Sequence, residues 1–101
     1  MEIAVEASRR LQDIYGQRLR GVYLYGSAAH DQLTPESDID IAVVLDEIPS
    51  RFEEHSRTSR LGSDISLDHN TVVLFFFAEE RDFEAGRLAI HRAIKSEGIR
   101  P

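Results

Sequence analysis

Residues Gly26 to Val44, GSAAHDQLTPESDIDIAVV, decide how the rest of the chain reads. A Gly-Ser pair closes the apolar run Val22-Tyr23-Leu24-Tyr25, and Asp38-Ile39-Asp40 opens a second run, Ile41-Ala42-Val43-Val44-Leu45. Side chains alternate across a strand, so Asp38 and Asp40 project from the same face. Neighbouring carboxylates repel, and partial burial raises that cost unless a cation sits between them. Beyond its first turn the strand is apolar on both faces, the pattern of a strand covered on two sides by helices.

Upstream, Ile3, Ala7, Leu11, Ile14 and Leu19 recur at helical spacing and predict an amphipathic opening helix of about four turns, interrupted by Gly16. Val22 to Tyr25 reads as a strand that stops at Gly26. Ser27 stands where it can cap a short helix over 27–33, and Pro35 forces a turn before Asp38. Downstream, Ser50 and Glu53 predict a capping box that opens a polar helix from Arg51 to about Leu67. Thr71 to Phe77, TVVLFFF, is the most strand-favouring segment and predicts a buried strand. A helix starts near Glu79 to Phe83. A last one spans Leu88 to Glu97, with Ile90, Ala93 and Ile94 inward and Gly98 as its stop. The order α-β-(short α)-β-α-β-α predicts an α/β (α+β) fold, a three-stranded mixed sheet flanked by helices, as a single domain over 1–101.

Composition sets outer limits. The 101 residues suffice for one small core, and 42% hydrophobic with 30% charged residues is ordinary for a globular domain. A net charge of -6 disfavours non-specific nucleic-acid binding, which rests on neutralising phosphates with Lys and Arg. With no cysteine, disulfides and thiolate metal sites are excluded. His55, His69 and His91 show no ligand spacing, which argues against zinc. Glu2 and Glu6 interrupt any signal-peptide core, and the apolar run Val72 to Ala78 is far shorter than the roughly 20 residues of a membrane span. A cytoplasmic protein with no membrane partner is expected.

The aspartates carry the chemistry. They are hard oxygen ligands suited to Mg²⁺, which prefers one or two protein carboxylates with waters and phosphates over an all-protein cage. Gly26 lets the backbone approach a phosphate, and Ser27 at a helix start offers a hydroxyl and free N–H groups. A phosphate gripper and a metal gripper on adjacent strands describe a nucleoside-triphosphate site. The bland alternatives are a solvated acid pair at a strand start, an exposed helix residue for His30 and a loop acid for Asp68.

Gly26-Ser27, ten residues, then Asp38-Ile39-Asp40 resembles the GS-x10-DxD signature of the DNA polymerase β nucleotidyltransferase superfamily. LYGSAAHDQLTPESDIDIAVVL is similar to the minimal nucleotidyltransferases of prokaryotes, and EERDFEAG and IKSEGIRP extend the likeness over nearly the whole chain. The resemblance implies that Gly26 and Ser27 hold the triphosphate of ATP or another nucleotide. It implies that Asp38 and Asp40 bind Mg²⁺ while a hydroxyl acceptor attacks the α-phosphate and pyrophosphate leaves. A third carboxylate on the strand after the long helix is also implied, for which Asp68 is the candidate. If that strand extends backward, residues 68, 70 and 72 share a face, and Asn70 stands where the acid is most expected. The motif often continues Ala-Arg-Gly where this chain has Ala29-His30-Asp31, so a protonated His30 would meet the phosphate in place of Arg.

Small proteins of this kind often accompany a helical HEPN-type partner and act as antitoxins, some by moving AMP to a partner tyrosine. The resemblance therefore implies a toxin–antitoxin role with such a partner. The acceptor surface would come from that partner, a second copy in a homo-oligomer, or a small aminoglycoside-like alcohol. Because Thr71 to Phe77 holds no acid, the alternative is a non-catalytic module of the same fold that neutralises its partner by contact.

Overall fold

The computed structural model describes residues 2–26 and 38–101. Helix α1, Glu2–Tyr15, is followed by a 3-10 turn, Gly16–Arg18, and strand β1, Leu19–Tyr25. Strand β2, Ile39–Leu45, leads through a loop into α2, Arg51–His69, then β3, Val73–Glu79, α3, Glu80–Ala85, and α4, Ala89–Glu97. The sheet order is β1-β2-β3, with β1 antiparallel to β2 and β2 parallel to β3, so the predicted three-stranded mixed sheet is the one observed. The parallel pair is joined by α2, the crossover a parallel connection requires. The short helix anticipated over 27–33 lies outside the described residues. No helix among those described is long and apolar enough to cross a membrane.

Strand alternation builds two cores. Val22, Leu24, Ile39, Ile41, Val43, Leu45 and Phe77 face α1 and α2, where Ala4, Ala7, Leu11, Tyr15, Leu61 and Ile65 meet them. Ala42, Val44 and Ala78 face the other way, against Phe83 of α3 and Ile94 of α4. Each helix thus buries one apolar stripe against its own side of the sheet.

Several local expectations shift. Helix α1 buries Tyr15 rather than Ile14, and Leu19 already belongs to β1. On α4, Ala93 is exposed and His91 is buried in its stead. The His91 ring lies near Phe76 and Phe83, and its Nδ1 accepts the Leu88 N–H at 3.1 Å, capping the helix start. Gly62-Ser63 leaves α2 unbroken, and the Ser50 hydroxyl accepts the Glu53 N–H at 3.3 Å as its cap. Strand β3 is an edge strand and only partly buried, with Leu74 47% exposed, because no further strand among the described residues covers it. The other edge is covered: Leu24 and Ile99 exchange N–H···O bonds of 2.7 and 2.8 Å, laying the tail against β1.

At the end of the sheet where β2 finishes, Glu54 is buried with its charge fully engaged. It accepts from Tyr15 Oη at 2.9 Å, Arg18 Nη2 at 3.0 Å and Arg57 Nη1 at 2.9 Å. Burial pushes the Glu54 carboxyl up, but the bonds from Arg18, Arg57 and Tyr15 outweigh it and hold the group below its ordinary value. Arg18 also reaches Asp46 and the Glu47 carbonyl, so one cation ties α1, β2 and α2 together.

Candidate functional site

Asp40 is the second residue of β2. Its neighbours Ile39 and Ile41 point into the core beneath α1 and α2, so Asp40 faces the α3 and α4 side. Tyr25 of β1 pairs with it on one flank and Leu74 of β3 on the other. Paired residues share a face, so Tyr25, Asp40 and Leu74 form one row across the sheet. Helices α3 and α4 cover the rows beyond it, at Ala42, Val44 and Ala78. They leave Asp40 half-buried and Asp38 exposed.

Gly26 follows directly, with φ +67. A Cβ there would lie 2.6 Å from Asp40 Oδ2. The residue type is therefore set twice, by a left-handed backbone and by a carboxylate that packs against the bare Cα. The sequence offers Gly26 as an opening for a phosphate; the fold shows that it also makes room for Asp40.

Burial raises the Asp40 carboxyl above its ordinary value, and the charge of Asp38 raises it further. The Tyr25 hydroxyl is raised by burial first and then by Asp40, so it stays a neutral donor at physiological pH. Both shifts report the same cause: negative charge is held here in a half-desolvated place without a cation among the described side chains. A hard divalent ion bound by Asp38 and Asp40 would remove that cost, and two carboxylates leave most positions of an octahedral ion to water and phosphate. The donor set fits Mg²⁺. Among the described residues no group of three His, Cys, Asp or Glu side chains is gathered for a metal.

The fold thus brings Gly26, Asp38 and Asp40 together. Ser27 and His30 lie outside the described residues. Asp68 occupies the last turn of α2, exposed, in the helix layer behind the sheet face that Asp40 occupies. Asn70 ends that helix in the left-handed conformation, φ 53, and β3 begins only at Val73. The shared strand face expected for residues 68, 70 and 72 does not form, because Asn is one of the few side chains that tolerate a left-handed helix end. The β3 residue in register with Asp40 is Leu74. Tyr25 and Leu74 were not among the expected site residues. Tyr25 was within reach as the last strand residue before Gly26, whereas Leu74 needs the β2–β3 register, which alternation alone does not supply.

A groove of about 620 Å³ lies beside this row rather than in it. It runs between α2 and β3 and shares Val72 and Leu74 with the site's edge.

The family model described as "Polymerase beta, Nucleotidyltransferase" matches residues 10–95. A spectinomycin 9-adenylyltransferase of Staphylococcus aureus is 33% identical over 58 residues, 57% of this chain and 22% of that protein. The chain therefore spans under a quarter of the length of the curated relative it matches. Among solved structures, a toxin–antitoxin with AMP-PNP superposes with TM-score 0.70 at 18% identity, covering 96% of this chain and 70% of that one. A complex of tri-AMPylated Shewanella oneidensis HEPN toxin with MNT antitoxin gives 0.55 at 16% identity, covering 97% and 70%. At such identities the likeness is one of fold.

Proposed function

Because the chain belongs to the polymerase β nucleotidyltransferase family, we propose that it moves a nucleoside monophosphate, AMP from ATP, onto a hydroxyl acceptor with Mg²⁺ as cofactor. The observation that carries this reading is the Gly26–Asp40 contact, which sets the head of the Gly-Ser motif against the second aspartate. Asp38 and Asp40 hold the ion. Gly26 and Ser27 take the triphosphate on backbone N–H groups, with His30 as a further phosphate contact. Bound there, Mg²⁺ supplies charge neutralisation for the phosphates and the leaving pyrophosphate. Tyr25, neutral beside Asp40, offers a hydroxyl donor on the opposite flank of the row. Asp68 remains the candidate third acid only if the acceptor or a partner closes the distance between the α2 end and the sheet face.

We assign the acceptor to a HEPN-type partner protein, with this chain as the antitoxin, acting in the cytoplasm. The toxin–antitoxin fold neighbours support that choice, and the adenylyltransferase relative supports AMP as the group moved. A second reading, a non-catalytic module that neutralises its partner by contact, is favoured by Leu74 standing in register with Asp40 where a third carboxylate would complete the ion's shell.

The test is α-labelled ATP with Mg²⁺, this protein and the product of the neighbouring open reading frame. Label on that product, lost with Asp38→Asn, is the expected result. A stable complex that carries no label and is indifferent to Asp38→Asn would establish the contact-only reading instead. Label on a small alcohol with no partner present would reassign the acceptor but keep the chemistry.

A further inference from the structure

The Ile39 N–H donates to the Val72 carbonyl at 2.8 Å, which fixes the phase of the parallel β2–β3 ladder. In a parallel pair one residue's N–H and C=O both point to the same side, and successive residues alternate. Leu74, Phe76 and Ala78 therefore bond toward β2, while Val73, Phe75 and Phe77 point their main-chain groups away from the sheet. The Phe77 carbonyl is taken by the Arg51 guanidinium. The outward groups of Val73 and Phe75 receive no bond from the described residues. They form the floor of the 620 Å³ groove, and its far wall is α2, where Ser59, Gly62, Ser63 and Ser66 keep the space open. At the mouth, Leu67, Val72 and Leu74 are 83%, 50% and 47% exposed.

From these features we infer that the groove takes an extended polypeptide segment, which adds a strand to the outer edge of β3 and is contributed by the protein that carries the acceptor hydroxyl. The occupant follows from the chemistry of the floor. Two residues' worth of main-chain donors and acceptors at strand spacing, otherwise left to water, are matched along their length by another extended backbone. The apolar mouth takes that segment's alternate side chains. A second copy of this chain fits poorly, because a β3–β3 pair would bring two α2 walls together over an edge only two residues long. Such a contact falls far short of the roughly 1,000 Å² that a stable interface buries.

The location carries the functional point. Leu74 is both the neighbour of Asp40 and the lip of the groove, so a side chain of the added strand on that face stands beside Leu74, one strand removed from Asp40. This last step rests on the transferase reading above; the binding of an extended segment does not.

The experiment separates them. The full chain, labelled with ¹⁵N, is titrated with a short peptide of alternating threonine and valine, and with two N-methylated forms that block one or the other set of alternate amides. The expected result is that the Val73 and Phe75 amide signals shift, and that one N-methylated form binds about tenfold or more weakly while the other retains affinity. Ser63→Trp, which fills the groove, abolishes those shifts while its melting curve shows a folded protein. Equal affinity of both N-methylated forms, shifts elsewhere than the β3 edge, or no binding at millimolar peptide would overturn the inference. Mg²⁺–ATP titrated into the same sample reports on the nucleotide site separately, so a silent edge and a silent nucleotide site are told apart.

Discussion

Gly26 and Gly16 share a backbone conformation and differ in what surrounds them, which makes them a matched pair. Their φ values are +67 and +56. A Cβ at Gly16 meets nothing within 4 Å, whereas at Gly26 it meets Asp40 Oδ2 at 2.6 Å. Replacing either by Ala puts an L side chain in the left-handed region, at about 1–2 kcal/mol. Gly26→Ala must also drive the Asp40 carboxylate off its position, at about 0.5–1.5 kcal/mol for a displaced rotamer. For a domain of this size each kcal/mol lowers the melting temperature by about 4–8 °C. Gly16→Ala should therefore melt about 4–16 °C below the parent, and Gly26→Ala several degrees lower again. Calorimetric melts with and without Mg²⁺–ATP give both quantities. Only Gly26→Ala should also lose ligand stabilisation, since only there is the carboxylate that would hold the ion displaced. Equal melting temperatures for the two variants, together with unchanged Mg²⁺–ATP stabilisation in Gly26→Ala, would refute the claim that Gly26 exists to seat Asp40.

Three more outcomes are expected. Asp40→Asn relieves the repulsion with Asp38, so the ligand-free protein should melt slightly higher, by less than about 1 kcal/mol, while the Mg²⁺-dependent rise disappears; differential scanning fluorimetry reads both. Leu74→Asp places a third carboxylate in register with Asp40. It should lower ligand-free stability and strengthen Mg²⁺ binding about tenfold, which is about 1.4 kcal/mol of extra ion-dependent stability in the same assay. Glu54→Gln strips the charge from an acid buried to 1% exposure, leaving Arg18 and Arg57 underpaired but half-solvated, so urea unfolding should show a loss of about 2 kcal/mol. Because the folded-state value of Glu54 is depressed, its contribution is present above its unfolded value and fades as pH falls through the folded one; a parent that destabilises below about pH 4.5 should have a flatter acid limb in Glu54→Gln.

The sheet and its helices were legible because their signals are local. The switch from helical to alternating period places β1 and β2, Ser50 announces α2, and Gly98 halts α4 through its N–H to the Ile94 carbonyl. The placement of Asp40 was legible for the same reason, since alternation along β2 puts it on the face opposite Ile39 and Ile41. What escaped depends on partners distant in sequence. Thr71 to Phe77 looks uniformly buried, yet β3 stands at the edge of the sheet formed by the described residues and Leu74 is half-exposed, and composition does not reveal an edge. Asp68 looks like a lead-in to β3 until one sees that Asn70 permits α2 to run to His69. His91 looks like a surface residue on a charged helix, and its burial follows from Phe76 and Phe83 arriving from other elements. Glu54 is the clearest case: nothing in its own stretch of sequence marks it, and it becomes a buried anion because Tyr15, Arg18 and Arg57 converge on it.

The bridge between Leu24 and Ile99 bears on how the chain survives its own synthesis. A ribosome releases β1 long before Ile99 exists, and the two positions are separated by most of the sequence. For that interval one border of the nascent sheet has unpaired main-chain groups beside Val22 and Leu24, the circumstance in which strands recruit neighbouring chains. The closing contact also has a long loop to close, so it forms late and, being only a single pair of bonds, opens early. Aggregation during expression and the first exchange of strand amides under native conditions should thus trace to the same spot, the outer border of β1.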